Sequence, residues 1–212
     1  MVQPLYYFPC VFAFADLLHQ STISFDADMP FKRSSFRNRL IIAAADGPIQ
    51  LSIPVVGGRS IKSIYREVEI DYKSNWQRDH FRTLCTAYGN SPFFLFYRDE
   101  LEQLFQQKPR LLHEWNLLCL EWVLKKMKIH LPIVNDISSQ NEDIYSVRAD
   151  RYSPQNYTID SSKVDVSYQQ VFEEKTGFLP NLSILDLLFN EGTHSKQVLL
   201  NIFTKLPSNT AV

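Results

Sequence analysis

The run at residues 177–192, GFLPNLSILDLLFNEG, constrains the fold of this chain more than any other stretch. Residues 184–189 are apolar on nearly every side of a helical projection, so a helix formed there must be covered on all faces. Its ends carry matching signals. Ser183 is placed to cap the N-terminus, and Asp186 follows three positions on as the acid of the cap. Leu182 and Leu187 would form the hydrophobic staple across it, and Gly192 supplies a left-handed stop. A helix N-terminus can also attract an anion. An acid in the first turn competes with one, so the spacing favours the cap as the role of Ser183 and Asp186. A helix buried all round needs other elements packed about it, and the chain must therefore build a core.

The remaining sequence can supply that core. Of 212 residues, 45% are hydrophobic and 21% charged, close to the globular average. The length corresponds to about one large domain, here taken as a single domain over residues 1–212. Six glycines are too few for Gly-rich phosphate loops or repeat arrays. A formal net charge of −1 gives no global attraction to nucleic acid or anionic lipid, so an anion site would have to be local. Cys10, Cys85 and Cys119 are widely spaced with no CxxC pair, which argues for a reducing compartment rather than disulfides or structural zinc. Residues 5–18 are nearly uncharged and include Ala13-Phe14-Ala15, which mimics a signal-peptidase site. No Lys or Arg precedes them, Pro9 interrupts the apolar core, and the stretch is too short to span a bilayer. It reads as structure, with no membrane span, and the chain as cytoplasmic.

The pattern along the chain is strands first and helices second, which predicts an α/β (or α+β) fold. Residues 2–8 read as a buried first strand, 11–19 as a short apolar helix and 22–25 as a second strand ending in the Asp26-Ala27-Asp28 turn. The apolar runs 36–44 and 49–55 flank Asp46-Gly47, a strong hairpin signal. Residues 61–70 would add a third member to that sheet. Ser74 and Gln77 fit a capping box opening a helix that sets Trp76, His80, Leu84 and Tyr88 on one face. Ser91-Pro92 starts the next helix, with Phe93, Phe96, Tyr97, Leu101, Leu104 and Phe105 as its apolar set. Leu111, Trp115, Leu118 and Trp122 form a third stripe. Residues 134–166 lose periodicity and read as a long irregular loop or insertion, with Tyr145, Tyr152 and Tyr157 taken as exposed aromatics.

Two segments could carry chemistry. In KRSSFRNR at 32–39, strand alternation would put Arg33, Ser35, Arg37 and Arg39 on one face, able to fork hydrogen bonds onto a phosphate or carboxylate. A solvated outer face is the structural alternative. His80, between Trp76 and Leu84, could serve as an acid or base near neutral pH. A histidine so placed can equally be a satisfied group at the edge of the core. There is no Walker loop, HExxH or GxSxG, and the dispersed acids have no metal-ligand spacing. No metal or cofactor is expected, and Cys10 has no basic neighbour to activate it.

Three stretches together resemble the WbqC-like protein family of bacteria, in its Bacteroidetes-type version. They are Gln3 to Pro9 (QPLYYFP), the Phe36-Arg37-Asn38-Arg39 segment with Gly47-Pro48 and LSIPV at 51–55, and YQQVF at 168–172 with the closing run at 177–190. The likeness covers most of the chain outside 134–166. It implies an association with gene clusters for surface polysaccharide assembly, without a secure reaction. It also places polar residues at Gln3, Asn38, Arg39, His80, Tyr88, Asn181, Asp186 and Asn190. A strand, a Pro-marked turn, a helix and a second strand further resemble the Rossmann-like opening of nucleotidyltransferases with paired turn histidines. Here the turn is Phe8-Pro9-Cys10-Val11-Phe12, with no histidine.

The expected function is therefore a transferase of surface polysaccharide or glycoconjugate assembly, acting on a nucleotide-activated or acyl-activated small-molecule precursor. Arg37 and Arg39 would hold an anionic group and His80 would act as acid and base. Gln3, Asn38, Tyr88, Asn181, Asp186 and Asn190 would contact substrate. The alternative is a non-catalytic binding or assembly subunit. Nucleic acid is a poor fit to three arginines without a wider basic surface, and the sequence leaves the oligomeric state open.

Overall fold

A computed structural model describes residues 2–57, 63–135, 152–156 and 167–205. In chain order these form β1 (Val2–Gln3), α1 (Val11–Leu18), β2 (Ile23–Phe25), β3 (Arg39–Ala44), β4 (Gly47–Ser52), α2 (Trp76–Tyr88), α3 (Phe94–Gln106), α4 (Leu112–Lys126), β5 (Ile133–Asn135), α5 (Glu173–Thr176), α6 (Ile184–Glu191) and α7 (Ser195–Lys205). The protein is α/β. β1, α1 and β2 make a βαβ unit, and β2 runs parallel to both neighbours in a sheet of order β1-β2-β5. β3 and β4 form a separate antiparallel hairpin closed by the pair Ala44↔Gly47. The turn therefore sits on Ala45-Asp46, one residue before the predicted pair, with Gly47 taking the positive φ of 115°.

The helices pack on an aromatic centre. Trp115 of α4 is fully buried, with the rings of Trp76, Phe105 and Tyr7 centred 5.4, 5.5 and 6.4 Å away. α6 is buried along its length, as its all-round apolar sequence requires, and Phe189 meets Tyr88, Phe94 and Tyr97. Gly192 ends α6 at a φ of 56°, where a Cβ would come within 2.7 Å of the Phe93 ring. The stretch entering α6 ties distant parts together. Leu182 O accepts from Val11 N–H, Ser183 N–H donates to Ile41 O, and Ile184 N–H donates to Pro9 O.

Several local expectations give way to tertiary structure. β1 is only Val2–Gln3, because Pro4 has no N–H for the ladder. Residues 32–38 are turns rather than strand. Ser35 Oγ donates to Lys32 O and accepts from Arg37 N–H, and Ser34 has a φ of 65°, so side-chain bonds replace the ladder there. Residues 61 and 62 lie outside the described residues. The rest of that predicted third strand contributes single bridges, Pro30↔Ile64 and Val55↔Ile70, around a 3-10 turn at Tyr65–Glu67.

The helical middle is corrected as well. The N-cap position of α2 is Asn75, not Ser74, and its side chain makes no cap bond, while Gln77 donates to Gln107 O instead of closing a box. α3 buries Phe94 and leaves Phe96 exposed, since it starts two residues later than the proline suggested. The predicted loop loses its first two residues to β5. Tyr152 is buried and donates to Asp16 Oδ2 at 2.6 Å, against its expected exposure, while Tyr145 and Tyr157 lie outside the described residues.

Candidate functional site

Parallel strands joined by helical crossovers leave a crevice beyond their carboxyl ends, and ligands of open α/β sheets bind there. In this chain β1 and β2 end at Gln3 and Phe25, and a cleft of about 470 Å³ opens against the residues that follow, Leu5, Asp26 and Ala27. Tyr65 and Arg66 of the 3-10 turn line it, as do Leu111, His113, Glu114 and Leu117 around the start of α4. Its walls are largely apolar, with five ionisable side chains among them, Asp26, Tyr65, Arg66, His113 and Glu114.

Each group is positioned by identifiable bonds. Asp26 is buried, and its Oδ1 accepts the Asp28 N–H at 2.6 Å, which folds the chain back at the end of β2. The 3-10 turn is pinned by Tyr65 N–H to Met29 O and Arg66 N–H to Ala27 O, at 2.9 and 2.8 Å. Arg66 then forks onto Asp28, with Nη2 2.8 Å from Oδ2 and Nε paired to Oδ1. Both side chains are part-exposed, so the pair serves geometry more than stability. Tyr65 donates to Leu5 O at 2.8 Å, and burial raises its phenol well above the usual range. His113, in the first turn of α4, packs edge-on to the Tyr65 ring at 6.2 Å. Glu114 Oε2 accepts the Leu111 N–H at 3.2 Å, capping α4 beside the cleft. Behind the floor, Asn116 Nδ2 lies within hydrogen-bond reach of Arg37 O and Tyr65 Oη, each at 2.6 Å, and of Leu5 O at 3.3 Å.

The residues expected from sequence lie elsewhere. Gln3 is in β1 paired with Phe25, and its side chain falls outside the described residues. Arg37 is 3% exposed, donates to Pro30 O and Met29 Sδ, and lies over the Tyr65 ring at 5.5 Å. Arg39 instead opens β3 on the hairpin and reaches Gln50 Oε1 at 3.4 Å. The two guanidinium groups share no face, because the turns at 32–38 break the alternation that would have aligned them. Asn38 is buried and donates to Ile53 O.

His80 is 6% exposed between Trp76 and Tyr7, and its Nδ1 is 3.0 Å from Tyr7 Oη. Its ring also bonds the Ser52 backbone, and burial lowers its pKa to about 4 despite the nearby Asp79 charge. The imidazole is therefore neutral at pH 7. Donating to Ser52, it leaves Nδ1 to accept the Tyr7 proton.

Asp186 does not serve the cap. Ser183 Oγ does, accepting the Leu185 N–H at 3.4 Å while donating to Phe8 O. The Asp186 carboxyl is fully buried and accepts from Tyr88 Oη at 2.9 Å, Tyr168 Oη at 2.7 Å and Gln170 Nε2 at 2.9 Å. Desolvation raises its pKa to about 6, opposed by those three donors. Tyr88 Oη also accepts the Ala43 N–H at 3.3 Å, tying α2 to β3. Asn190 donates to Asp186 O one turn back. Asn181, at a φ of 56°, accepts the Phe12 N–H at 3.0 Å and so caps α1 from the other end of the chain. Tyr88 and Asn190 bond to Asp186 within α6's buried polar cluster, Asn181 bonds to the start of α1, and none of the four lines the cleft.

Sequence reasoning missed Asp26, Arg66, His113 and Glu114. One signal was available: Asp26 directly follows the second strand of a βαβ unit, at a carboxyl end. Nothing in the spacing of His113 or Arg66 announces them, because the 3-10 turn that brings Arg66 in is fixed by contacts from residues 27 and 29.

The family model described as the WbqC-like protein family matches residues 3–198. No curated protein and no solved structure matches the chain. Among the described residues, no helix is long and apolar enough to cross a membrane and no group of His, Cys, Asp and Glu side chains could hold a metal ion.

Proposed function

Because the chain belongs to the WbqC-like protein family, we propose that it is a transferase of surface polysaccharide or glycoconjugate assembly, with its activated precursor bound in the cleft beyond β1 and β2. One observation carries this reading. Within a single apolar-walled cleft stand a buried carboxylate, Asp26, an imidazole, His113, and a guanidinium, Arg66, held in place by Asp28. Apolar walls with a few convergent polar groups are what a small-molecule site requires. The family's association with polysaccharide gene clusters supplies the substrate class, a nucleotide-activated or acyl-activated precursor.

In this reading His113 is the acid–base group, because it is the imidazole of the cleft and its side-chain type is the one that most often moves protons in such sites. Arg66 orients an anionic part of the precursor from its place on Asp28. His80, neutral and enclosed by Tyr7 and Trp76, holds the scaffold.

A thermal-shift panel of nucleotide-sugars and acyl-CoAs tests the proposal on the full chain. A ligand at a hundred times its Kd adds about 2.7 kcal/mol, or roughly 5–10 °C in Tm for a chain of this size. The rise is expected in wild type and in Arg39→Ala, and is expected to be lost in His113→Ala. A rise that survives in His113→Ala and disappears in Arg39→Ala would move the site to the hairpin.

A further inference from the structure

A second depression, of about 300 Å³, lies between α2 and α3. Two half-buried aromatic side chains, Tyr72 and Phe81, wall it. Each is fixed by the protein: Tyr72 donates to Pro109 O at 2.7 Å, and the Phe81 ring packs against Phe105 at 6.1 Å. The rim is polar. Ser74, Asn75 and Gln106 are exposed there, and their side chains make no hydrogen bond among the described residues. Hydroxyl and amide groups of this kind both donate and accept. The charges balance, since Glu102 is matched by Lys108 and the Arg78 charge is met by Asp79 at 3.3 Å.

This groove borders the cleft. Gln77 Nε2 donates to Gln107 O at 2.5 Å, so with Tyr72 it ties the stretch before α4 to the groove. Lys108 lines the groove only three residues before Leu111, which lines the cleft. Three residues of chain span at most about 11 Å. The Tyr72 phenol is pushed up to about 12 by burial and, secondarily, by the charge of Glu114 on the cleft side.

We infer that the groove binds a neutral sugar, the acceptor for the precursor held in the cleft. The acceptor role rests on the cleft reading proposed above, while the sugar site stands on the groove's own residues. A pyranose ring presents C–H faces and hydroxyls together. Aromatic walls suit the first, and side chains that both donate and accept suit the second. An ionic ligand finds no excess of opposite charge, because a phosphate would face Glu102 and a cation would face Lys108. In the transfer, an acceptor hydroxyl oxygen forms the bond to the donor's activated carbon. The bond from that carbon to its nucleoside diphosphate or thiolate breaks with its electron pair, and the hydroxyl proton passes to His113.

The test is saturation-transfer NMR on the full chain with the methyl glycosides of glucose, galactose, mannose and N-acetylglucosamine. At least one is expected to bind wild type, and inorganic phosphate is expected not to displace it. Gln106→Ala removes an exposed amide and is expected to weaken binding about three- to tenfold. Phe81→Leu keeps an apolar side chain against Phe105 and removes the ring face, with a comparable loss expected. His113→Ala is expected to leave glycoside affinity unchanged. The inference is overturned by affinity that is unchanged in every folded groove variant, lost in His113→Ala, or displaced by phosphate. Absence of binding by all four glycosides overturns it as well. The panel of nucleotide-sugars and acyl-CoAs tests the cleft separately. Donors that bind where no glycoside does remove the groove alone. Glycosides that bind where no donor does keep the sugar site and remove the cleft reading with the acceptor role.

Discussion

Burial lowers the pKa of His80 to about 4 and raises that of Asp186 to about 6, and the two shifts act on stability with opposite signs. For His80 the unfolded chain binds more protons between its ordinary value and about 4, so its contribution grows as pH rises through that window. For Asp186 the folded chain holds the proton longer, so its contribution is complete below the ordinary carboxyl range and is lost as pH rises to about 6. Across this range the two effects oppose one another in the wild type. Urea melts between pH 4 and 7 should separate them. Asp186→Asn is expected to make stability rise with pH across this range, and His80→Phe to make it fall. Parallel profiles for the two variants would show that these groups are not the source. Neither environment was legible in the sequence. Asp186 has the spacing of a cap residue, and its partners come from α2 and from the stretch before α5, which no local pattern connects to it.

At the scale of the element, periodicity was a good guide wherever one helical face meets the core. It placed α1, α2, α4 and α6, and turn chemistry found the β3–β4 hairpin to within a residue. It failed where tertiary contacts chose between similar faces. In α3, Phe93 and Phe96 share a spacing as plausible as that of Phe94 and Tyr97, yet the core takes the second pair and Phe96 stays 78% exposed. It failed again at 32–38, where serine hydroxyls satisfy the backbone, and at β5, which is too short to show alternation. The cap on α1 shows the same limit, since its oxygen comes from Asn181. Removing that oxygen is expected to cost about 1 kcal/mol in Asn181→Gly. In Asn181→Ala the φ of 56° adds backbone strain, for a total of about 2–3 kcal/mol. Chemical denaturation of the two variants measures both steps.

At the scale of the molecule, the βαβ opening and its carboxyl-end cleft could be anticipated as architecture, but not the cleft's occupants. Arg66, His113 and Asp26 come from three separate parts of the chain, and the bonds through Asn116, Tyr65 and Ala27 that gather them exist only once the chain has folded. The same dependence joins the first helix to the last third of the sequence. α1 has its leading N–H groups satisfied by residues 181 and 182, and Ser183 and Ile184 continue the seam to Ile41 and Pro9. A contact of such sequence separation is slow to form, because a very long loop must close before anything is gained. The seam therefore sets a timetable for synthesis on the ribosome. The first helix is made early and cannot settle until residues near 184 have emerged, so nascent chains halted before that point should stay sensitive to protease along their whole length. Nascent chains halted beyond α7 should become resistant in a single step. Pulse proteolysis of a series of stalled chains would reveal that step, and a gradual gain of resistance from the N-terminus would show that the opening βαβ unit folds without the seam.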